Sequence, residues 1–155
     1  MSIRVGIGYD VHPILVGNKG LFLGGVKVSD SLYLSGYSDG DALCHAIVDA
    51  VLGAVSLGNI GIEFPEVDLN RDRRSLEFLF EVSEAIRGRW QLLNVDTVVV
   101  IESVRLAGFV RSMTENIAQA LGVGSENVNI KPKSGNGSSP DFVHAHAVCL
   151  LREVE

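Results

Sequence analysis

Cysteine is scarce, with only Cys44 and Cys149 in 155 residues. Two thiols so far apart exclude a disulfide framework and a thiolate zinc knuckle; both are expected to pack as small apolar residues. Basic runs are missing too. Thirteen Lys and Arg stand against 19 Asp and Glu, a formal charge of −6. Without a basic patch or aromatic-basic interleaving, a nucleic-acid partner is not expected. An acidic chain can still bind a phosphorylated ligand, provided metal ions or a few placed cations neutralise it locally. No stretch approaches the ~18 uninterrupted apolar residues of a membrane-spanning helix. Met1–Asp10 carries an arginine and then alternates apolar residues with glycine, so it lacks the apolar centre of a signal peptide. The expected location is the cytoplasm, or an equivalent compartment such as a plastid stroma after processing, with no membrane partner.

What is present is ordinary globular material, 46% hydrophobic and 21% charged. Residues 1–155 are expected to form a single domain, able to bury roughly 70% of its unfolded-chain surface without disulfide or metal. Glycine is the outlier at 17 residues; spread along the chain, it marks tight turns and close backbone approaches. Ile3–Asp10 alternates into a strand and Leu21–Val28 reads as a second, with Val16-Gly17-Asn18-Lys19-Gly20 as the turn. Ser38-Asp39-Gly40-Asp41 supplies helix-capping residues, and Leu43, Ile47, Val51 and Val55 recur at helical spacing until Gly58. Asn59–Arg74 reads as a long irregular loop, the kind that carries function. A helix over Ser75–Arg87, a strand over Leu92–Glu102 and a helix over Phe109–Leu121 follow. Strands over Val128–Lys131 and Val143–Val154 flank the Gly/Ser-rich loop Ser134–Ser139. The order β-β-α-α-β-α-β-β predicts an α+β fold, a single mixed β-sheet with helices packed on one face. The uncovered face favours an oligomer.

Asp10 and His12, two apart on a strand, point to the same side, and carboxylate oxygen and imidazole nitrogen are both zinc ligands. His45 lies on the first helix with Asp41 four residues before it and Asp49 four after. Asp10, His12 and His45 make a three-ligand set that leaves a fourth position open, the pattern of a catalytic rather than a structural metal. Asp41 or Asp49 is a candidate to orient the imidazole from behind. Each residue alone has a plainer reading, as a polar strand end or a solvated helix face.

The combination is more specific than its parts. Gly8-Tyr9-Asp10-Val11-His12, Leu23-Gly24-Gly25-Val26 and Ser38-Asp39-Gly40-Asp41-Ala42-Leu43-Cys44-His45-Ala46-Ile47-Val48-Asp49-Ala50 resemble the 2-C-methyl-D-erythritol 2,4-cyclodiphosphate synthases. So do Leu57-Gly58-Asn59-Ile60-Gly61, Phe64-Pro65-Glu66-Val67-Asp68, Asn94-Val95-Asp96 and Val128-Asn129-Ile130-Lys131. The resemblance implies a homotrimer of the non-mevalonate isoprenoid pathway with active sites between neighbouring subunits. It implies conversion of 4-diphosphocytidyl-2-C-methyl-D-erythritol 2-phosphate to the cyclic diphosphate with release of CMP. Asp10, His12 and His45 would hold zinc, and magnesium or manganese would bridge the substrate diphosphate. The substrate would meet Asp10, Val11, His12, Tyr37, Ser38, Asn59, Ile60, Gly61, Phe64, Pro65, Glu66, Val67, Asp68, Arg105, Lys133, Ser134 and Asn136. Tyr37 and Ser134 would act in catalysis.

The chain departs from the family at three places. Gly36-Tyr37-Ser38-Asp39 has tyrosine where the family has a histidine; a phenol donates a hydrogen bond to phosphate but carries no positive charge at neutral pH. Asn59-Ile60-Gly61 replaces the aspartate of the ribose-binding D-I-G with an amide, whose oxygen still accepts from a hydroxyl. Lys133-Ser134-Gly135-Asn136 keeps a hydroxyl at Ser134, but Asn136 stands where a glutamate supports magnesium, and a neutral oxygen is a poorer ligand. Lys131, Lys133 and Arg105 are the remaining candidates for phosphate-facing cations, each with a plainer reading as a solvated side chain. These departures leave room for a second reading, a metal- and phosphate-ligand-binding trimer that has lost turnover. A third is an unrelated zinc hydrolase. His144 and His146 share one side of the last strand, facing solvent, a subunit contact or a second metal.

Overall fold

The computed structural model describes residues 1–154. Its first strand, β1 (Ile3–Val16), is longer than the sequence alternation predicts, because Val11–Pro13 continue its pairing with the last strand and Ile14–Val16 pair with a strand the sequence did not reveal, β4 (Leu32–Leu34). The expected strand over Leu21–Val28 is instead a small hairpin, β2 (Leu21–Leu23) and β3 (Val26–Ser29). Gly24 and Gly25 divide it, with φ of 56° and 71°. Two successive positive-φ residues are what a two-residue hairpin turn requires, and glycine supplies them without steric cost.

The first helix, α1 (Ala42–Ala54), begins after Asp41 as its capping residue and stops short of the Gly58 expected to end it. The stretch expected to be irregular contains α2 (Ile60–Glu63), capped by Asn59, and a 3-10 turn over Asp68–Asn70. Then come α3 (Ser75–Ile86), β5 (Trp90–Val100) and α4 (Val110–Leu121), which Gly122 closes in the left-handed conformation. The chain ends with β6 (Val128–Lys133) and β7 (Phe142–Glu153).

The main sheet runs β4-β1-β7-β5-β6, and the β2–β3 hairpin stands apart from it, so the fold holds two sheets rather than one. β5 and β6 are parallel and joined through α4, while the other neighbours are antiparallel. The main sheet is therefore mixed, as the element order implied. Helix α1 lies across β1 and β7, α3 packs on α1, and α4 packs on α3 and β6. Eleven of its 13 residues are buried, so α1 runs through the middle of the core rather than along its surface.

Gly6 and Gly8 on β1 set how closely α1 approaches. A Cβ on Gly6 would overlap the carbonyl oxygen of Ala50, and one on Gly8 that of Ala46. Their strand neighbours Val5 and Ile7 face the other way and are 65% and 74% exposed, on a sheet face left uncovered by the helices among the described residues.

Candidate functional site

The close seat of α1 on β1 brings His45 against Asp10 and His12. Asp10 Oδ2 lies 2.8 Å from His12 Nε2 and 3.1 Å from His45 Nδ1, and the two ring nitrogens are 3.3 Å apart. The hydrogen bonds behind the rings set which nitrogen carries a proton. His12 Nδ1 is 2.5 Å from the carbonyl oxygen of Ser35, which only accepts, so Nδ1 donates and Nε2 presents a lone pair in the neutral ring. His45 Nε2 is 2.7 Å from Ser75 Oγ and 3.1 Å from Ser38 Oγ. Ser75 Oγ spends its own proton on the Asp39 carboxylate, so it accepts from His45 Nε2–H, and Nδ1 turns its lone pair inward. Two imidazole lone pairs and a carboxylate oxygen thus converge with no donor between them. Such a set repels itself until a cation sits at its centre, and its two imidazole nitrogens and one carboxylate oxygen fit a divalent metal of the zinc kind.

Without a cation, a proton on His12 Nε2 is what supplies the missing donor, and the electrostatics follow from it. Burial works to raise the Asp10 carboxyl, but hydrogen bonds and charge from His12 and His45 overcome it and hold it down to about 2. Burial opposes protonation of His12, yet the Asp10 hydrogen bond and charge, with the Ser35 carbonyl, leave the ring raised above its usual value. Among the described residues, Asp10, His12 and His45 are the one group of three such side chains whose ligand atoms gather, within 4.8 Å of one another.

Neither carboxylate expected to orient His45 does so. Asp41 is fully buried and accepts from the backbone N–H groups of Gly24, Gly25 and Cys44, tying the hairpin turn to the start of α1. Burial first, and the Asp39 charge second, push its carboxyl up to about 6 against those donors. Asp49 accepts from the Ile60 N–H at 2.7 Å and so fixes the start of α2. The orienting pair is Asp39 and Ser75, which the sequence did not single out because Ser75 joins His45 across 30 residues of chain.

A cavity of about 190 Å³ opens over the ligand set, lined by Tyr37, Ser38, Ile60, Gly61, Phe64 and Glu66 as well as Asp10, His12 and His45. Asn70 and Phe78, not anticipated, complete its wall. Asn59 caps α2 beside it, accepting from Ile62 N–H, while Pro65, Val67 and Asp68 are exposed near its rim. Val11 points to the opposite face of the sheet. The remaining residues gather elsewhere. Arg105, Lys133 and Ser134 line a second cavity of about 360 Å³ at the far edge, with Asn136 just beyond, 3.2 Å from Ser134 Oγ. The register Asp10↔Ala145, Ala145↔Val99, Val99↔Pro132 puts three strand spacings, about 14 Å, between β1 at Asp10 and β6 at Pro132.

The second cation fits less well. Ser134 and Asn136 offer neutral oxygens, and the nearby Glu102 carboxylate accepts from the Ser139 N–H. His144 is held by Tyr9 Oη at 2.9 Å and Ser139 Oγ at 2.6 Å, and the His146 ring packs tilted against that of Tyr9, so this pair forms a polar cluster on the bare face.

Comparison with known proteins bears on this arrangement along nearly the whole chain. The chain is 50% identical over 152 residues to the 2-C-methyl-D-erythritol 2,4-cyclodiphosphate synthase of Kosmotoga olearia, covering 97% of each. It is 42% identical to that of Syntrophomonas wolfei, covering 97% of this chain and 99% of the other. A solved 2C-methyl-D-erythritol-2,4-cyclodiphosphate synthase in its CDP-bound form superposes with a TM-score of 0.89 at 31% identity, over 96% of this chain and 100% of the other. The bifunctional IspDF from Campylobacter jejuni gives a TM-score of 0.91 at 31% identity; 99% of this chain matches 43% of that longer one. The YgbB family model matches residues 3–152, and the chain belongs to that family, whose relatives here are the 2-C-methyl-D-erythritol 2,4-cyclodiphosphate synthases.

Proposed function

We propose that the protein is a 2-C-methyl-D-erythritol 2,4-cyclodiphosphate synthase of isoprenoid biosynthesis, a phosphorus–oxygen lyase of the cytoplasm with residues 1–155 as its catalytic domain. It converts 4-diphosphocytidyl-2-C-methyl-D-erythritol 2-phosphate to the cyclic diphosphate and CMP. The observation that carries this reading is the inward turn of the Asp10, His12 and His45 lone pairs beneath a cavity of phosphate-binding size.

The 2-phosphate is already an anionic nucleophile, so the reaction needs no dedicated general base. Nucleophile and leaving group belong to one substrate, and catalysis reduces to holding them in line and offsetting their charge. Asp10, His12 and His45 would hold zinc, which when bound supplies the positive charge that lets two phosphates approach. Tyr37 and Ser38 offer hydroxyl donors to the phosphates from the cavity wall. Asn59, Ile60 and Gly61 at the start of α2, with Phe64 to Asp68 after it, close over the sugar. Arg105, Lys133 and Ser134 take the nucleotide end, with Asn136 beside them. Magnesium or manganese completes the family's scheme, but no carboxylate set gathers for it among the described residues, and no step here is routed through it.

Two observations support a homotrimer with sites between subunits. The substrate-facing residues divide between a cavity at β1 and α1 and another beside β6, three strands away, and apposition of neighbouring subunits would bring one cavity of each kind together over a single substrate. Ile3, Val5 and Ile7, with Val148, leave the face of β1 and β7 apolar and exposed; an apolar face of this kind is covered by assembly. The test is CMP release from the diphosphocytidyl substrate with zinc and magnesium present, the product checked by mass. Cyclic diphosphate in amounts equal to CMP supports the reading. No release from folded, zinc-loaded protein overturns it and leaves a binding trimer.

A further inference from the structure

The cavity over Asp10, His12 and His45 holds no lysine or arginine among its described lining residues, and it includes Glu66. A diphosphate brings more negative charge than one divalent ion offsets, so the site needs a further cation within reach. Three arginines follow the 3-10 turn at Asp68–Asn70. Arg73 is committed: it pairs with Glu77 at 3.1 Å and with Glu81, bonds Asn70 Oδ1, and lies over the Phe78 ring. Arg74 donates to the carbonyl oxygen of Gly25, away from the cavity. Arg71 differs from both. Its guanidinium rests 5.1 Å from the centre of the Tyr37 ring, and Tyr37 is a wall of the cavity.

The backbone holds this stack in place. Asp72 N–H donates to the carbonyl oxygen of Tyr37 at 3.0 Å, and Asp39 N–H donates to that of Arg73 at 3.1 Å, so the Arg71 segment is laced to the Tyr37 loop on both sides. Among the described residues, the one carboxylate paired with Arg71 is that of Asp68, 3.1 Å away and 94% exposed. A surface pair of that kind holds weakly, so Asp68 does not tie the guanidinium down.

We infer that Arg71 is the phosphate-binding cation of the metal cavity, carried on the Tyr37 ring to supply the positive charge that Tyr37 itself lacks. A guanidinium binds two phosphate oxygens at once through its planar fork and stacks on an aromatic face while doing so. This rests on the cyclodiphosphate synthase reading, because it takes the ligand to be a diphosphate.

The experiment titrates zinc-loaded full-length protein with CDP and with CMP by calorimetry, for the parent, Arg71→Ala and Arg71→Lys. Arg71→Ala weakens CDP about tenfold, the scale of one charge-assisted bidentate contact. CMP, which lacks the outer phosphate, binds Arg71→Ala as it binds the parent. Arg71→Lys keeps the charge without the fork and falls between. The exposed position leaves the melting temperature unchanged in both variants, and should Arg71→Ala fail to fold, Arg71→Lys carries the same comparison. Equal CDP affinity in parent and Arg71→Ala overturns the inference, as does an equal loss of CDP and CMP. A parent that neither binds CDP nor releases CMP overturns the cyclodiphosphate synthase reading itself; a parent that turns over beside an unaffected Arg71→Ala overturns only the role of Arg71.

Discussion

His45 presents Nδ1 to Asp10 because its other nitrogen is engaged from behind by Ser75, whose proton in turn goes to Asp39. Ser75→Ala removes the nearer acceptor for that Nε2–H, leaves Ser38 Oγ at 3.1 Å, and loosens the hold on the ring's tautomer. Zinc affinity is expected to fall about tenfold to hundredfold, as for other lost partners behind a metal-bound histidine, with the fold retained. A competition titration against a chelator reads this directly, and an unchanged affinity would refute the relay. Protons and metal also compete at His12, whose pKa is raised above 6.5 through Asp10 despite its burial. In metal-free protein the proton contributes stability that is full below about pH 6.5 and is lost as pH rises through the raised value. Metal needs the neutral ring, so its contribution grows over the same rise. The melting-temperature gain from zinc should therefore be larger at pH 8 than at pH 6. A gain that shrinks with pH would show that His12 is not a ligand. At this scale the gathering of Asp10, His12 and His45 was legible in the sequence, since D-x-H alternation and the helical position of His45 needed only local geometry. Asp39 and Ser75 as its support were not, because a hydrogen bond across 30 residues leaves no local spacing to read.

Between elements, the spacing that matters is β1 against α1. Gly6 and Gly8 let the strand backbone lie on the helix backbone, and the same strand carries Asp10 and His12 onward to meet His45. Gly8→Ala places a methyl group against the carbonyl oxygen of Ala46, an overlap that flexible side chains cannot relieve. Overpacking of this kind costs about 3 kcal/mol, and the strand must shift away from the helix to relieve it. Urea denaturation should show that loss, and zinc affinity should fall with it although no ligand has changed. Full zinc affinity in a folded Gly8→Ala protein would mean that the helix seat does not position the metal. The long strands and the three main helices follow from periodicity, which is a local signal. The hairpin at Gly24–Gly25 was hidden because Leu21–Val28 reads as one apolar run unless both glycines are given positive φ. Strand β4 was hidden because three residues, Leu32–Leu34, are too few to show a period.

For the whole molecule, the uncovered face of β1 and β7 is where assembly is expected. Ile7 stands near its middle, 74% exposed and opposite Val148 across the strand pair. Ile7→Lys puts a charge there without touching the metal side of the sheet. Sedimentation velocity should show trimer for the parent and smaller species for the variant, with zinc still bound and turnover lost because the cavities at the two edges no longer meet. A variant that stays monomeric and fully active would remove the shared site. No helix among the described residues is long and apolar enough to cross a membrane. The bare face was foreseen from the element order, yet the split of the site into two cavities was not. Loop residues such as Arg105 and Ser134 show what they bond with but not which edge of the sheet they reach. All these levels meet in one measurement, the rate of CMP and cyclic diphosphate formation by metal-free protein, by the same protein after zinc is restored, and by His45→Ala treated alike. The account predicts turnover only in the zinc-restored parent, with product and CMP in equal amounts. Equal turnover in all three would contradict a metal centre at Asp10, His12 and His45.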